Sequence, residues 1–387
     1  MTSPISRNNE YTVIDLFSGA GGTALGFKRA GFTIVGALDI NPSAAKTYAR
    51  NIGVQPLVKD IREIEPEDLL AEFNLQPDEV SVLVGCPPCQ GFTRMRNGQG
   101  ASDPRNDLVL RYLDFVKVIR PRCVVFENVP GILKQEHGKK FYKKLCRGLR
   151  KLGYKVDYKK PGRTLNAADY GVPQLRERAV LIAGRDGLRM KYPKPTHGKP
   201  NRPEVTSGRL QPWRTVGDVL NGLSPLEPGE ICQDDPNHYA RSIGERVLGF
   251  ISLVPQDGGS RLEVPRERWL DCHKKDNCGH ADVYGRLSLD HPSVVVTTGC
   301  TNVSKGRFVH PTQNRGISFR EAALLQSFPK DFTFEGNSDD IAEQIGNAVP
   351  PLLAEAIARQ IIIQLQAVQP EALSERLEFA ECLNALA

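Results

Sequence analysis

Apolar positions along the chain alternate between two kinds of spacing. Short β-branched runs at residues 11–14, 33–38, 81–84, 121–126 and 179–183 are long enough for one buried strand and too short for a helix. Between them lie stretches with helical period. Residues 23–30 read as a helix, and residues 107–119 place Leu108, Tyr112, Phe115 and Ile119 on one face. Residues 137–152 turn Phe141, Leu145, Leu149 and Leu152 inward, with Gly153 as a stop. A last helix, starting at the block Gln344 to Pro351, buries Leu353, Ile357, Ile361 and Leu365. Two further strands are expected at residues 154–158, which alternate, and at residues 294–298. Strands alternating with helices predict an α/β fold with a mainly parallel sheet.

The pattern lapses at about Arg189. Residues 189–203 are rich in Pro, Lys, Arg and Gly without a period, and few periodic segments follow up to Ser304. The expected organisation is therefore one domain from residues 1–188 and 305–387, with a smaller, irregular domain at residues 189–304.

Composition narrows the class. The 387 residues are 40% hydrophobic and 25% charged, values typical of a globular protein with a proper core. No run of about 18 apolar residues occurs, so no membrane span is expected. Residues 1–11 are polar and lack the apolar centre of a signal peptide. Nine cysteines, an odd and scattered set, form no disulfide framework and point to a reducing, cytoplasmic setting. The net charge of +6 permits a polyanionic partner without requiring one. Lys139, Lys140, Lys143, Lys144, Arg147, Arg150 and Lys151 lie along the exterior of the 137–152 helix, where such a run reads first as a solvated face.

The candidate chemistry sits at strand ends. The first strand opens into the glycine-rich turn Phe17-Ser18-Gly19-Ala20-Gly21-Gly22, and the next strand ends at Asp39, about 20 positions past the glycines, where a ribose diol is gripped. The turn departs from G-x-G-x-x-G, yet the glycines alone leave an NAD enzyme open. Residues 81–84 run into Gly85-Cys86-Pro87-Pro88-Cys89-Gln90. Two prolines force the chain out of the sheet as a stiff loop and present Cys89 at its tip. Cys89 could equally be a small buried thiol, or half of a Cys86-x-x-Cys89 redox or zinc pair, although no second Cys-x-x-Cys exists to complete a four-cysteine site. Glu127 ends another strand, and Arg176 and Arg178 precede the strand at residues 179–183; alone, these read as a strand-end acid and two surface arginines. Ser318 and Glu321 form a capping box that accounts for Glu321 by itself. Cys272, His273, Cys278 and His280 cluster, but their spacing matches no standard zinc finger, and no metal is expected.

Six blocks in order, Phe-x-Gly-x-Gly at residue 17, Pro-Cys-Gln at 88, Glu-Asn-Val at 127, Gln-x-Arg-x-Arg at 174, Arg-Glu-Ala-Ala at 320 and Gly-Asn-Ala-Val at 346, make the chain resemble the DNA (cytosine-5) methyltransferases of restriction-modification type. The resemblance covers roughly residues 11–185 and 305–368. It implies a Rossmann-like S-adenosylmethionine-dependent methyltransferase sheet with helices on both faces, and a target-recognition domain at residues 189–304. It implies Cys89 as nucleophile, Glu127 at the N3 edge of the target base, and Arg176 and Arg178 at its O2. Contacts to S-adenosyl-L-methionine are implied for Phe17, Gly19, Gly21, Gly22, Asp39, Ile40, Asp60, Ile61, Pro88, Leu108, Asn347 and Val349. On its own, Asp60 reads as a solvated loop aspartate or an N-cap to the following turn. Gln90 and Arg320 are implied at the DNA, and the loop 94–105 is implied to close over it. Double-stranded DNA is the implied partner, with a cognate restriction endonuclease acting on the same sequence as a candidate second one. A cytoplasmic monomer without a membrane is expected. Two rivals share parts of this pattern: an RNA cytosine methyltransferase, and a DNA-binding regulator that keeps only the cofactor fold.

Overall fold

The computed structural model describes residues 11–88, 107–157, 162–274 and 282–367. Seven strands form one sheet: β1 (Thr12–Leu16), β2 (Thr33–Asp39), β3 (Leu57–Val58), β4 (Val82–Gly85), β5 (Cys123–Asn128), β6 (Arg163–Asn166) and β7 (Glu177–Gly184). Their spatial order is β3-β2-β1-β4-β5-β7-β6. The first five are mutually parallel; β7 runs antiparallel to β5 and to β6.

Strand periodicity divides the strands between two cores. Ile14, Leu16, Leu83, Val124, Phe126 and Leu181 face one side, while Val13, Val82, Val84, Val125, Val180 and Ile182 face the other. Each face is covered by helices, so both sets of side chains are buried and the strands read as continuous apolar runs. The first face carries α3 (Pro66–Glu72), α4 (Leu108–Ile119), the short α5 (Gly131–Lys134) and α6 (Glu136–Lys151). The second carries α1 (Gly22–Arg29), α2 (Pro42–Ile52) and the C-terminal helix, Pro351–Gln366.

Small elements fill the middle of the chain: β8 (His197–Gly198), α7 (Pro203–Thr206), β9 (Gln211–Pro212), α8 (Gly217–Leu220), β10 (Ile231–Cys232), β11 (Asp235–Tyr239) and α9 (Glu245–Ile251). After them come α10 (Phe319–Leu325), α11 (Ser338–Asn347) and α12 (Pro351–Gln366). Two cores hold this part. One joins Val216, Leu220, Leu287 and Val296 to Phe319, Leu325 and Ile345. The smaller one packs Phe250, Val254, Val264 and Leu270 around Val303 and Val309. Apolar packing therefore continues across residue 304, the boundary expected from the change in sequence texture.

Two expected strands are not strands. Residues 154–157 contribute one bridge, Lys155 with Gly184, and Tyr154 turns in to donate its hydroxyl to Pro121 O at 2.6 Å, while Tyr158 lies outside the described residues. Residues 294–298 build no ladder, and the last of them is in a turn: the Val296 N–H goes to the Gln174 side chain and its carbonyl to Arg176. The helix expected to start at Gln344 is two helices. Ala348 is extended (ψ 141°) ahead of Pro350 and Pro351, so α11 stops at Asn347 and α12 begins at Pro351. Together they form a stretch apolar enough for a membrane span by length and composition, but it is broken here and half of it is buried in the protein.

Candidate active site

The carboxyl ends of β1, β2, β4 and β5 meet around a cavity of about 440 Å3. Its floor is the turn after β1. Phe17, Gly19 and Gly21 all adopt positive φ, at 58°, 52° and 92°. The turn is locked to β2 by the Ser18 N–H on Leu38 O and the Gly19 N–H on Asp39 Oδ2, 2.6 Å away. Asp39 Oδ1 accepts from the Asn41 N–H at 2.8 Å. Burial still pushes the Asp39 carboxyl up, against these backbone bonds that stabilise its charge. Gly22 lets α1 meet the segment before α12, since a Cβ there would lie 2.4 Å from Val349 O.

Phe17, Gly19, Gly22, Asp39 and Ile40 line the cavity on one side, and Asp60, Ile61, Pro88 and Leu108 on another. Asn347 and Val349 close it from the C-terminal block. Gly21 does not line it; its missing Cβ instead makes room for Ile52 and Tyr48 of α2. Ile40 is 62% exposed, an apolar side chain in a cavity wall without a protein partner to cover it. Asp60 is no bare acid: Arg62 clamps it through its backbone N–H and its guanidinium, and that hydrogen bonding holds its carboxyl below the usual range.

Glu127 projects from the carboxyl end of β5 into the same cavity and is buried. Arg178, at the start of β7, brings Nε to 2.9 Å from Glu127 Oε1. The N–H is misaligned for a full hydrogen bond, so the contact is an ion pair with one oxygen left short of a donor. Burial pushes the Glu127 carboxyl up, countered in part by Arg178 and then Arg176. The next residue, Asn128, was given no role by the sequence pattern. It donates Nδ2 to Pro87 O at 3.0 Å, tying the root of the cysteine loop to β5. Cys86 lines the cavity with its thiol 3.9 Å from Thr23 Oγ1, and burial, with Glu127 and Asp15 near, pushes that thiol well up. A protonated thiol is a poor redox nucleophile. Cys89, Gln90 and the loop 94–105 lie outside the described residues.

Two arginines sit elsewhere than expected. Arg176 is 1% exposed and does not line the cavity. Its guanidinium donates to the carbonyls of Val296, Gly346 and Ala348 at 2.8–3.0 Å, binding the middle of the chain to the C-terminal block. Arg320, expected at the DNA, is buried at the start of α10; it pairs with Asp235 of β11 at 2.5 and 3.0 Å and donates to Phe332 O. Both face inward because long-range carbonyl and carboxylate acceptors lie there, which no local pattern reveals. The Ser318–Glu321 capping box is present, and Glu321 also takes a bidentate pair from fully buried Arg315.

Further cavity residues carried no sequence signal of their own. They are Lys59 and Arg62 flanking Asp60, Thr23 on α1, and Glu343 and Gln344 on α11. Only the Arg62 clamp has a local trace, as a turn two residues past an aspartate. Beneath the floor, Asp15 is 1% exposed, and neither carboxylate oxygen has a hydrogen-bond partner. Burial first, then Asp39, push it up to about 8, with the nearby Tyr48 hydroxyl opposing. Of the cysteine–histidine cluster, Cys272 is exposed and His273 packs edge-on to Tyr284; Cys278 and His280 lie outside the described residues. Among the described residues no group of three His, Cys, Asp or Glu could hold a metal.

The model of the family "C-5 cytosine-specific DNA methylase" matches residues 11–363. Type II methyltransferase M1.HphI of Haemophilus parahaemolyticus is 38% identical over 355 residues, covering 91% of this chain and 86% of the relative. Type II methylase M.HgiDII of Herpetosiphon aurantiacus is 35% identical, over 90% of this chain and 94% of the relative. Among solved structures, an E. coli prophage protein described as a candidate DNA modification methyltransferase superposes with a TM-score of 0.71 at 24% identity, covering 92% of this chain and all of that one. Methyltransferase EhMeth of Entamoeba histolytica superposes with a TM-score of 0.61 at 17% identity, covering 92% of this chain and 99% of that one. At these identities the two structures support the fold.

Proposed function

The chain belongs to the C-5 cytosine-specific DNA methylase family and is a DNA cytosine-5 methyltransferase; from that premise we propose that its methyl donor is S-adenosyl-L-methionine and that it works through a covalent Cys89–C6 adduct on a flipped-out cytosine. The observation that carries this reading is the Glu127–Arg178 pair opening into the glycine-floored cavity at the root of the Cys89 loop.

The cavity residues suit the donor. Asp39 has further lone pairs for a ribose diol beyond its two backbone bonds, and uncovered Ile40 offers an apolar face to a purine. Asp60 and Ile61, just past β3 and beside the end of β2, are available for the adenine edge, and Asn347 and Val349 close the pocket. When bound, the donor supplies an electrophilic methyl group. The chain's own residues prepare the acceptor. Duplex stacking hides C5 and C6, so the base must leave the helix. The Cys89 thiolate forms a bond to C6, and the ring π pair moves toward C5 and N3. Glu127, whose raised carboxyl favours the protonated form, holds a proton at N3 and stabilises the adduct. Arg178 faces O2 and keeps the ring in register. Once C5 is methylated, a base takes the C5 proton, the C6–S bond breaks, and the thiolate is restored.

Residues 189–304 supply the contacts to base edges in the major groove. The protein acts as a monomer on duplex DNA in the cytoplasm, beside an endonuclease of the same specificity. The test is transfer of labelled methyl from S-adenosylmethionine to mixed genomic DNA, followed by bisulfite sequencing. Methylation confined to one short motif supports the reading. Incorporation into RNA alone moves it to an RNA enzyme, and incorporation into neither leaves a DNA-binding regulator. Cys89→Ser is expected to abolish transfer with DNA binding intact; full activity in that variant would sink the adduct.

A further inference from the structure

α6 carries a charge distribution that catalysis does not use. Its 16 residues hold seven Lys and Arg against one acid, Glu136, an excess of six. The excess of the whole chain is also +6, so the rest of the protein is electrically balanced. At 100° per residue, Lys139, Lys140, Lys143, Lys144, Arg147, Arg150 and Lys151 fall within one arc of about 140°, opposite the buried Tyr142, Leu145 and Leu149.

Lys140, Lys143, Lys144, Arg147 and Lys151 are exposed. Among the described residues none of these five has an ion-pair partner, although Lys144 Nζ lies 5.6 Å from the centre of the Phe141 ring; Arg150 turns aside, to the carbonyls of Val156 and Asp157. An ordinary solvated helix face intersperses acids at i±4. Here like charges repel at 139/143, 140/144, 143/147 and 147/151, each pair costing a few tenths of a kcal/mol. A bound polyanion relieves that repulsion.

The position of α6 identifies the polyanion. The chain leaves β5 at Asn128, directly after Glu127, and reaches α6 through α5. Gly138 packs on Gly131 and Ile132, where a Cβ would lie 2.6 Å from Ile132 Cα, so the first turn of α6 is held at the catalytic edge. Lys134 stands 3.5 Å from Glu177, the neighbour of Arg178. From that edge α6 runs about 24 Å across the outer face of the sheet to its opposite edge, where the chain after it bonds Pro121 and Gly184. We infer that the basic face of α6 holds the backbone phosphates of duplex DNA flanking the methylated cytosine. The inference rests on the duplex-DNA reading above. Each strand carries one phosphate per 3.4 Å of duplex axis, so a face of this length laid along that axis spans about seven of them.

The test compares the wild-type chain with K140E/K143E/K144E/R147E, four exposed positions away from the cavity, and with the four corresponding Gln variants combined. Random-sequence duplexes of about 12 and about 40 base pairs are titrated by fluorescence anisotropy over a salt series, with affinities expressed per binding site. The wild type is expected to bind the long duplex more tightly and with a steeper salt slope. Both variants should lose that difference, with the long-duplex slope reduced by about 3 to 4 and short-duplex binding retained. Unchanged long-duplex affinity and slope, with methyl transfer intact, overturns the inference and leaves the enzyme reading standing. A loss of affinity with an unchanged salt slope overturns it too, because the substitutions would then act on the fold and not on phosphate contacts. Loss of the enzyme reading has a separate signature: no methyl incorporation into DNA by the wild type.

Discussion

Replacing Arg176 with lysine separates a residue that touches substrate from one that positions the walls around it. The guanidinium spans three backbone carbonyls, those of Val296, Gly346 and Ala348, and sits beside Gln174 Oε1. Lysine keeps the positive charge near Glu127 but presents a compact ammonium in place of a planar fork. From one position it cannot reach all three carbonyls, so about two lose a charged donor. A buried polar group left without its partner costs about 1–3 kcal/mol, which for two gives a loss of about 2–6 kcal/mol. In a domain of this size 1 kcal/mol moves Tm by about 2–4 °C, so Tm should fall by about 4–24 °C. The assay pairs scanning calorimetry with single-turnover methyl transfer well below the melting range. The expected result is a lower Tm and a higher KM for the donor, because Gly346 to Val349 wall the cavity, with the rate at saturation within about threefold of wild type. An unchanged Tm together with a hundredfold loss of saturated rate would refute the reasoning and return Arg176 to the substrate.

Asp15→Asn tests the orphaned carboxyl beneath the floor. Its folded pKa, about 8, lies above the unfolded value of 3.8, so the folded state keeps a proton that the unfolded state releases. Stability from this group is full below about pH 4, declines as pH rises toward about 8, and stays lost above it. The asparagine variant should therefore gain on wild type through that window, by a few kcal/mol at its top; parallel pH curves in urea unfolding would show that Asp15 is not buried as a free acid. Gly26→Ala and Gly249→Ala should move stability in opposite directions. A Cβ on Gly26 meets Ala354 Cβ and Glu355 N at 2.5 Å and drives α1 from α12, costing about 1–3 kcal/mol. One on helical Gly249 meets nothing within 4 Å and should add about 0.5–1 kcal/mol. Equal Tm shifts for the two would contradict the packing.

By itself the sequence determined what depends on neighbours within a few residues. The short β-branched apolar runs became β1, β2, β4, β5 and β7, the 3.6-period stretches became α4, α6 and α12, and Ser318 with Glu321 formed its capping box. The glycine turn, Asp39 and Glu127 were legible because strand ends in a parallel sheet converge on one edge, and eleven of the twelve residues expected at the donor line the cavity. Only the tertiary structure decided where side chains with distant partners point. Arg176 bonds Gly346 across 170 positions, Arg320 bonds Asp235 across 85, and Val296 gives its N–H to Gln174 across 122 in place of a strand ladder. The same holds for Asp15, a β1 residue whose orphaned carboxyl comes from the packing of β1 between β2 and β4. Periodicity records which face of an element is apolar. It does not record which remote carbonyl will accept from a buried guanidinium, because that acceptor exists only once the chain has closed on itself.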